Sequence, residues 1–201
     1  MSHGGGSTAS AVTRGGIVIA LCFGIGILTI ISHSIRRKYF INNDVGRNTY
    51  MTDYALLKKQ LLALAEDEGS YIPLLSNASA LLYAGLDDLN WAGFYLMNKG
   101  SLLLGPFQGK VACIRIPLGK GVCGTAAQKD ETLVVANVHD FPGHIACDGA
   151  SNSEIVVPIH HDGKVSGVLD IDSPSLSRFS DEDRAGLEEF VRALESVIKY
   201  E

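Results

Sequence analysis

The sequence predicts an α+β sandwich: an antiparallel sheet with helices against one face, the other face left for a ligand. Three observations carry that expectation. Two helical runs precede the first extended segment, and Asp162-Gly163 sits between two β-rich segments where a hairpin turn belongs. Ser180 and Asp183 then introduce a closing amphipathic run with the spacing of a capping box.

The chain has 201 residues, 46% hydrophobic and 19% charged, enough apolar matter for one core and too little charge for a disordered chain. Residues 1–14 are small, polar and glycine-rich and read as a flexible tail. Residues 15–32, GGIVIALCFGIGILTIIS, carry no charge and are long enough for a short transmembrane or signal-anchor helix, in which Cys22 reads as apolar filler. The linker 33–48 holds Arg36, Arg37 and Lys38 against only Arg14 before the apolar run, so the positive-inside rule puts the following domain in the cytoplasm, anchored to a membrane. Mitochondrial targeting is the alternative use of the same segment. The net charge is −5, with about +4 in residues 1–48 and about −9 in the domain at 49–201; so acidic a domain repels phosphate backbones, and nucleic acid is not expected as a partner.

Within 49–201, Tyr54, Leu57, Leu61 and Leu64 recur at helical spacing, and SNASALLYAGL marks a second helix. WAGFYLM and SLLLGPF read as strands around a turn at Asn98 to Gly100, and CIRIP as a short strand opened by Cys113. GVCGTAAQK reads as a short glycine-led helix and TLVVANV as a strand. HDFPGHIACDGASN, rich in turn-forming residues, reads as an irregular loop. EIVVPIHH and KVSGVLDIDS form the hairpin, and RAGLEEFVRALESVIKY is the last helix.

Three cysteines fall in the domain, an odd number that argues against a structural disulfide framework in a reducing compartment. Cys123 follows Lys120 and Gly121 at a helix N-terminus, where the dipole and free amides favour a thiolate. Cys147 lies in the irregular loop near His144 and beside Asp148, and Cys113 lies near Arg115. Singly, each is more often a small buried hydrophobe; the set is what informs. His139, His144, Cys123 and Cys147 are zinc-donor types, but without a Cys-x-x-Cys pair the spacing does not suit the common sites, and no metal is expected. His160 and His161 read as solvated polar residues.

Asp170 and Asp172 are two apart on a strand and share a face, where they repel unless a cation or a proton separates them. Glu154 lies on the partner strand. A two-residue Asp162-Gly163 loop pairs it with Ile171, facing away; a three-residue loop ending at Lys164 pairs it with Asp172 and adds it to the acids. Trp91 and Tyr95 share a face with Gly93 between them, leaving a gap that a ligand could fill, although aromatic core packing explains the pair as well.

NWAGFYL, GPFQGKVACIRIPLGKGVCGTAA, VANVHDFPGHIACD and SEIVVPI with GVLDIDS closely resemble the free methionine-(R)-sulfoxide reductases, enzymes made of a single GAF domain. The resemblance runs from about Thr49 to the C-terminus, and Cys113, Cys123 and Cys147 keep that family's spacing of ten and twenty-four residues. It implies a thioredoxin-dependent oxidoreductase that reduces free L-methionine (R)-sulfoxide and needs no metal, flavin or nucleotide. It further implies that Cys147 is the nucleophile, Cys113 the main resolving thiol and Cys123 an auxiliary. Trp91, Tyr95, Glu154, Asp170 and Asp172 match the family's substrate-binding positions. The apolar segment at 15–32 departs from a family that is typically soluble, and a homodimer is compatible with similar domains.

The implied chemistry needs a thiolate and an acid together. Cys147 attacks the sulfoxide sulfur while Glu154, Asp170 or Asp172 protonates the departing oxygen, and the remaining carboxylates hold the substrate ammonium. Cys147 is left as a sulfenic acid, Cys113 condenses with it, and thioredoxin reduces the disulfide. The competing expectation is a non-catalytic GAF domain that binds a ligand or senses oxidants, because fold alone does not select an activity.

Overall fold

Alternation along the strands sorts the side chains of this domain into two layers. In a computed structural model of the chain, residues 52–67, 69–145 and 148–200 are described. The tail 1–14, the candidate anchor 15–32 and the linker 33–48 lie outside them. Among the described residues no helix is long and apolar enough to cross a membrane.

The elements run α1 (Tyr54–Asp67), α2 (Tyr71–Gly85), β1 (Trp91–Asn98), β2 (Ser101–Gly109), β3 (Arg115–Pro117), α3 (Gly121–Lys129), β4 (Leu133–Val135), a 3-10 turn (Val138–Asp140), β5 (Ser153–His161), β6 (Lys164–Ser173) and α4 (Asp181–Val197). The six strands form one antiparallel sheet in the order β3-β2-β1-β6-β5-β4. The α+β class therefore holds. Two strands are shorter than expected: β3 begins at Arg115, leaving Cys113 in the preceding loop, and β4 stops at Val135.

Ala92, Phe94, Ile155, Val157, Leu169 and Ile171 face α1, α2 and α4, where Leu57, Leu61, Leu74, Leu82, Leu187 and Phe190 complete the main core. Phe190 has no exposed surface, and its truncation to alanine would cost about 3–5 kcal/mol. The capping box that opens α4 forms as expected: Ser180 Oγ accepts from Asp183 N at 3.2 Å, and Asp183 Oδ2 accepts from Ser180 N at 2.8 Å. Tyr54 also donates to Asp183 Oδ1 at 2.6 Å, so the cap of α4 is tied to the start of α1.

The opposite face carries Trp91, Tyr95, Val156 and Val168, packed with Ile116 and with Val122, Cys123 and Ala126 of α3. This corrects the expectation that the helices share one face. At Gly124 a side chain would run into the Pro117 carbonyl, so only glycine lets α3 lie this close to β3.

His160 corrects a second expectation, because it is not simply solvated. Its Nδ1 lies 3.0 Å from Glu195 Oε1 and its Nε2 lies 2.7 Å from Asp130 Oδ1, while the ring of His161 packs on Tyr200 at 4.0 Å.

Candidate active site

The register of the β5–β6 hairpin decides how many acids meet. Asp162 and Gly163 have φ of 50° and 70°, suiting the two-residue turn in which His161 pairs with Lys164. That turn alone would turn Glu154 away. The register shifts once, however, between Ile159, which pairs with Gly167, and His160, which pairs with Val165, so Ser166 is an extra residue. Beyond this bulge Glu154 pairs with Asp172 and joins the α3 side of the sheet. The turn is thus the two-residue one, while the pairing of Glu154 with Asp172 is the one expected from the three-residue loop, reached through the bulge instead.

On that side β1 runs beside β6 with Gly93 opposite Asp170 and Trp91 opposite Asp172. Glu154, Asp170 and Asp172 border one cavity with Cys123, Ser151, Asp148, His144 and Ile145, closed by Ile116, Gly121 and Val122. Glu154 and Asp170 are buried, 5% and 6% exposed. Burial pushes all three carboxyls up from the usual range, and the Asp170 charge raises Glu154 and Asp172 further. Cavity acids of this kind hold protons to higher pH than free carboxylates do. Asp170 Oδ1 is buried without a hydrogen-bond partner, and its residue borders the cavity.

Cys123 is a buried free thiol whose Sγ lies 3.6 Å from Glu154 Oε1. The expectation of a thiolate at the α3 N-terminus is overturned. Burial, then the charges of Asp170 and Glu154, raise this thiol well above its ordinary value and outweigh the helix dipole. The donor atoms of Cys123, Glu154 and Asp170 lie within 4.8 Å of one another, close enough to share a cation.

Cys113, half-buried in the loop before β3, is disulfide-bonded. Cys147 lies outside the described residues, but Ile145 and Asp148 on either side of it both border the cavity.

Trp91 and Tyr95 are core residues that hold the Cys113 segment down. Trp91 Nε1 donates to the Lys110 carbonyl at 3.1 Å, and the Tyr95 hydroxyl donates to the Cys113 carbonyl at 3.0 Å. Both rings are buried and neither borders the cavity. The gap expected over Gly93 is filled by Phe107, which stacks on Trp91 at 5.2 Å and 13°. Phe107 was missed from the sequence, as were Ser151 and Asn90; Asn90 alone carried a signal, its place directly before the aromatic strand. His139 and His144, weighed for zinc, stand edge to face with centroids 6.4 Å apart.

Similarity to known proteins follows the same residues. The GAF-domain family model matches residues 74–198. Free methionine-R-sulfoxide reductase of Escherichia coli is 54% identical over 145 residues, spanning 72% of this chain and 88% of the relative. The protein of the same name from Saccharomyces cerevisiae is 46% identical over 161 residues, spanning 75% and 89%. The structure of fRMsr of Staphylococcus aureus in complex with substrate superposes with a TM-score of 0.72 at 54% identity, covering 76% of this chain and all of that one.

Proposed function

The chain belongs to the GAF-domain family and, within it, to the free methionine-R-sulfoxide reductases, and we propose that it reduces free L-methionine (R)-sulfoxide to methionine through a sulfenic acid on Cys147. The observation that carries this reading is the cavity bordered by Glu154, Asp170 and Asp172, with one Asp170 oxygen unpartnered. An ammonium group satisfies that oxygen and relieves the repulsion among the acids, which a methionine sulfoxide inside a peptide cannot do because it lacks the cation. A buried carboxyl that holds its proton to higher pH than a free one is also suited to protonate the departing oxygen.

In this reading the Cys147 sulfur attacks the sulfoxide sulfur and takes over its oxygen as a sulfenic acid, releasing methionine. The Cys113 thiol then displaces that oxygen as water, and the two sulfurs form a disulfide. A dithiol of thioredoxin type returns both to thiols and is itself oxidised. The disulfide-bonded state of Cys113 supports its resolving role, and the buried, proton-retaining thiol of Cys123 supports an auxiliary one. Trp91 and Tyr95 act here by fixing the Cys113 backbone rather than by lining an empty gap.

The test is a coupled assay with thioredoxin, its reductase and NADPH, supplied with either sulfoxide epimer, free or in a peptide. Consumption of NADPH with the free (R) epimer alone is the expected result. No turnover with any sulfoxide would return the domain to ligand sensing. Microscopy of the full chain beside a version lacking residues 1–48 tests whether 15–32 anchors the domain at a membrane and leaves it in the cytoplasm.

A further inference from the structure

Resting on that reading, we propose that Cys123, Glu154 and Asp170 form a site for a thiophilic divalent cation, zinc first, whose binding shuts out the free sulfoxide. The three donors come from α3, β5 and β6, so their spacing along the chain does not announce them. The expectation of no metal rested on the missing Cys-x-x-Cys pair, which marks sites built from one stretch of chain. Here the sheet register does the assembling. The bulge at Ser166 turns Glu154 to the face of Asp170 and Asp172, and α3 packs across that face.

The geometry is that of a coordination sphere. One donor atom of each residue lies within 4.8 Å of the other two, and all three residues are more than nine-tenths buried. The Cys123 sulfur stands 3.6 Å from Glu154 Oε1. With Zn–S about 2.3 Å and Zn–O about 2.0–2.1 Å, sulfur and oxygen in a tetrahedral zinc site are about 3.6 Å apart, so this edge already has coordination length. Asp170 adds an acceptor in want of a partner. Its Oδ1 is buried without a hydrogen bond, and because both oxygens of a carboxylate share one carbon, it stands at the cluster whichever oxygen faces the sulfur. All three residues border the cavity, which leaves the fourth position of an ion to water or to a ligand entering there.

Binding needs no oxidant or reductant. The S–H bond of Cys123 breaks, its proton leaves to the buffer, and the sulfur lone pair bonds the cation. A thiolate and two carboxylates set three negative charges around two positive ones, so a divalent ion relieves their repulsion more fully than one proton does. The sulfur selects zinc over magnesium and calcium, which take oxygen ligands. Asp148 and Asp172 border the same cavity and add attraction for a cation from outside the donor set. The substrate ammonium and the metal ion call on the same Asp170 carboxylate, so occupancy by one excludes the other.

The test titrates cobalt(II), a spectroscopic stand-in for zinc, into reduced full-length Cys147→Ser, which lacks the nucleophile of that reading. A cobalt–thiolate charge-transfer band that zinc abolishes and magnesium leaves in place is expected. Adding Cys123→Ser should remove the band and weaken cobalt binding at least about 100-fold, since even outer-shell partners of a metal ligand are worth about 10–100-fold. A band that persists there, or that never forms in Cys147→Ser, overturns the site. Should the double variant fail to fold, zinc X-ray absorption of Cys147→Ser replaces it. One sulfur at about 2.3 Å among oxygens at about 2.0–2.1 Å is expected, and no sulfur, or more than one, overturns the site. Free L-methionine (R)-sulfoxide should lower the apparent cobalt affinity of Cys147→Ser, and an unchanged affinity overturns the exclusion. The band needs no turnover, so an inactive native enzyme would defeat the reductase reading while the titration still reports on the metal site.

Discussion

Asn90 holds the residue that follows Cys147: its side-chain amide donates to Asp148 Oδ2 at 3.0 Å and to Ser151 Oγ at 2.9 Å. Its backbone N–H donates to the Asp172 carbonyl at 3.0 Å, so one residue directly before β1 ties the loop to the strand that carries two of the acids. The Ala150 amide, Asn90 and Lys110 together hold the Asp148 carboxyl below its usual range. A hydrogen bond to such a charged group contributes about 1.5–3 kcal/mol. Asn90→Ala should therefore lower kcat/KM about tenfold by loosening the loop. Asn90→Asp, which sets a second carboxylate against Asp148, should do worse. Steady-state rates indistinguishable among the three proteins would remove Asn90 from positioning.

The buried acids predict a stability that falls with pH. Glu154, Asp170 and Asp172 are raised by burial, so the folded state binds their protons more tightly than the unfolded chain does. Their favourable contribution is complete below the unfolded carboxyl range and is lost as pH climbs through the raised folded values. Glu154→Gln removes one charge that the cavity pays to bury, so its gain in urea midpoint should be larger near pH 8 than near pH 5. Equal shifts at both pH values would contradict the raised carboxyl. Turnover should fall in the same variant, since the stabilising change removes an acid of the proposed site.

The three domain cysteines should separate kinetically. Cys147→Ser should form no methionine. Cys113→Ser should form one equivalent and then stall with thioredoxin, because the sulfenic acid has lost its main resolving partner. Cys123→Ser should keep multiple turnovers within about tenfold of the native rate, since its thiol is buried and held protonated. Rapid-quench measurement of methionine per enzyme distinguishes these outcomes, and full turnover by Cys147→Ser would refute the assignment of the nucleophile.

What was legible in the sequence was set by local chemistry. Ser180 and Asp183 marked the start of α4 because a cap is made by neighbours in the chain, and Asp162-Gly163 marked the turn because few residue pairs accept its φ values. The extra residue at Ser166 carried no such mark, yet it decides which face Glu154 occupies. Phe107 over Gly93 was equally hidden, because that contact depends on the β1–β2 register. The thiol of Cys123 was misjudged for the same kind of reason: its position in α3 is local, while the acids that hold its proton come from β5 and β6.

His160 ties three elements and predicts a second pH dependence of the same sign. Its ring bridges Asp130, at the left-handed end of α3, and Glu195 on α4, while its backbone N–H donates to the same Glu195 oxygen at 2.7 Å. Burial lowers the imidazole, but the bonds to Asp130 and Glu195 raise it further, leaving it above its ordinary value. Stability from the ring is thus fully present below the unfolded histidine value, about 6.5, and is lost as pH rises through the folded one. In His160→Gln the backbone bond to Glu195 remains, so the variant isolates the ring. It should destabilise the domain near pH 6 more than near pH 8.5, and by less in high salt, because the pair is partly exposed. Urea midpoints of native and variant protein at the two pH values provide the check, and a loss independent of pH would mean that the ring acts by packing alone.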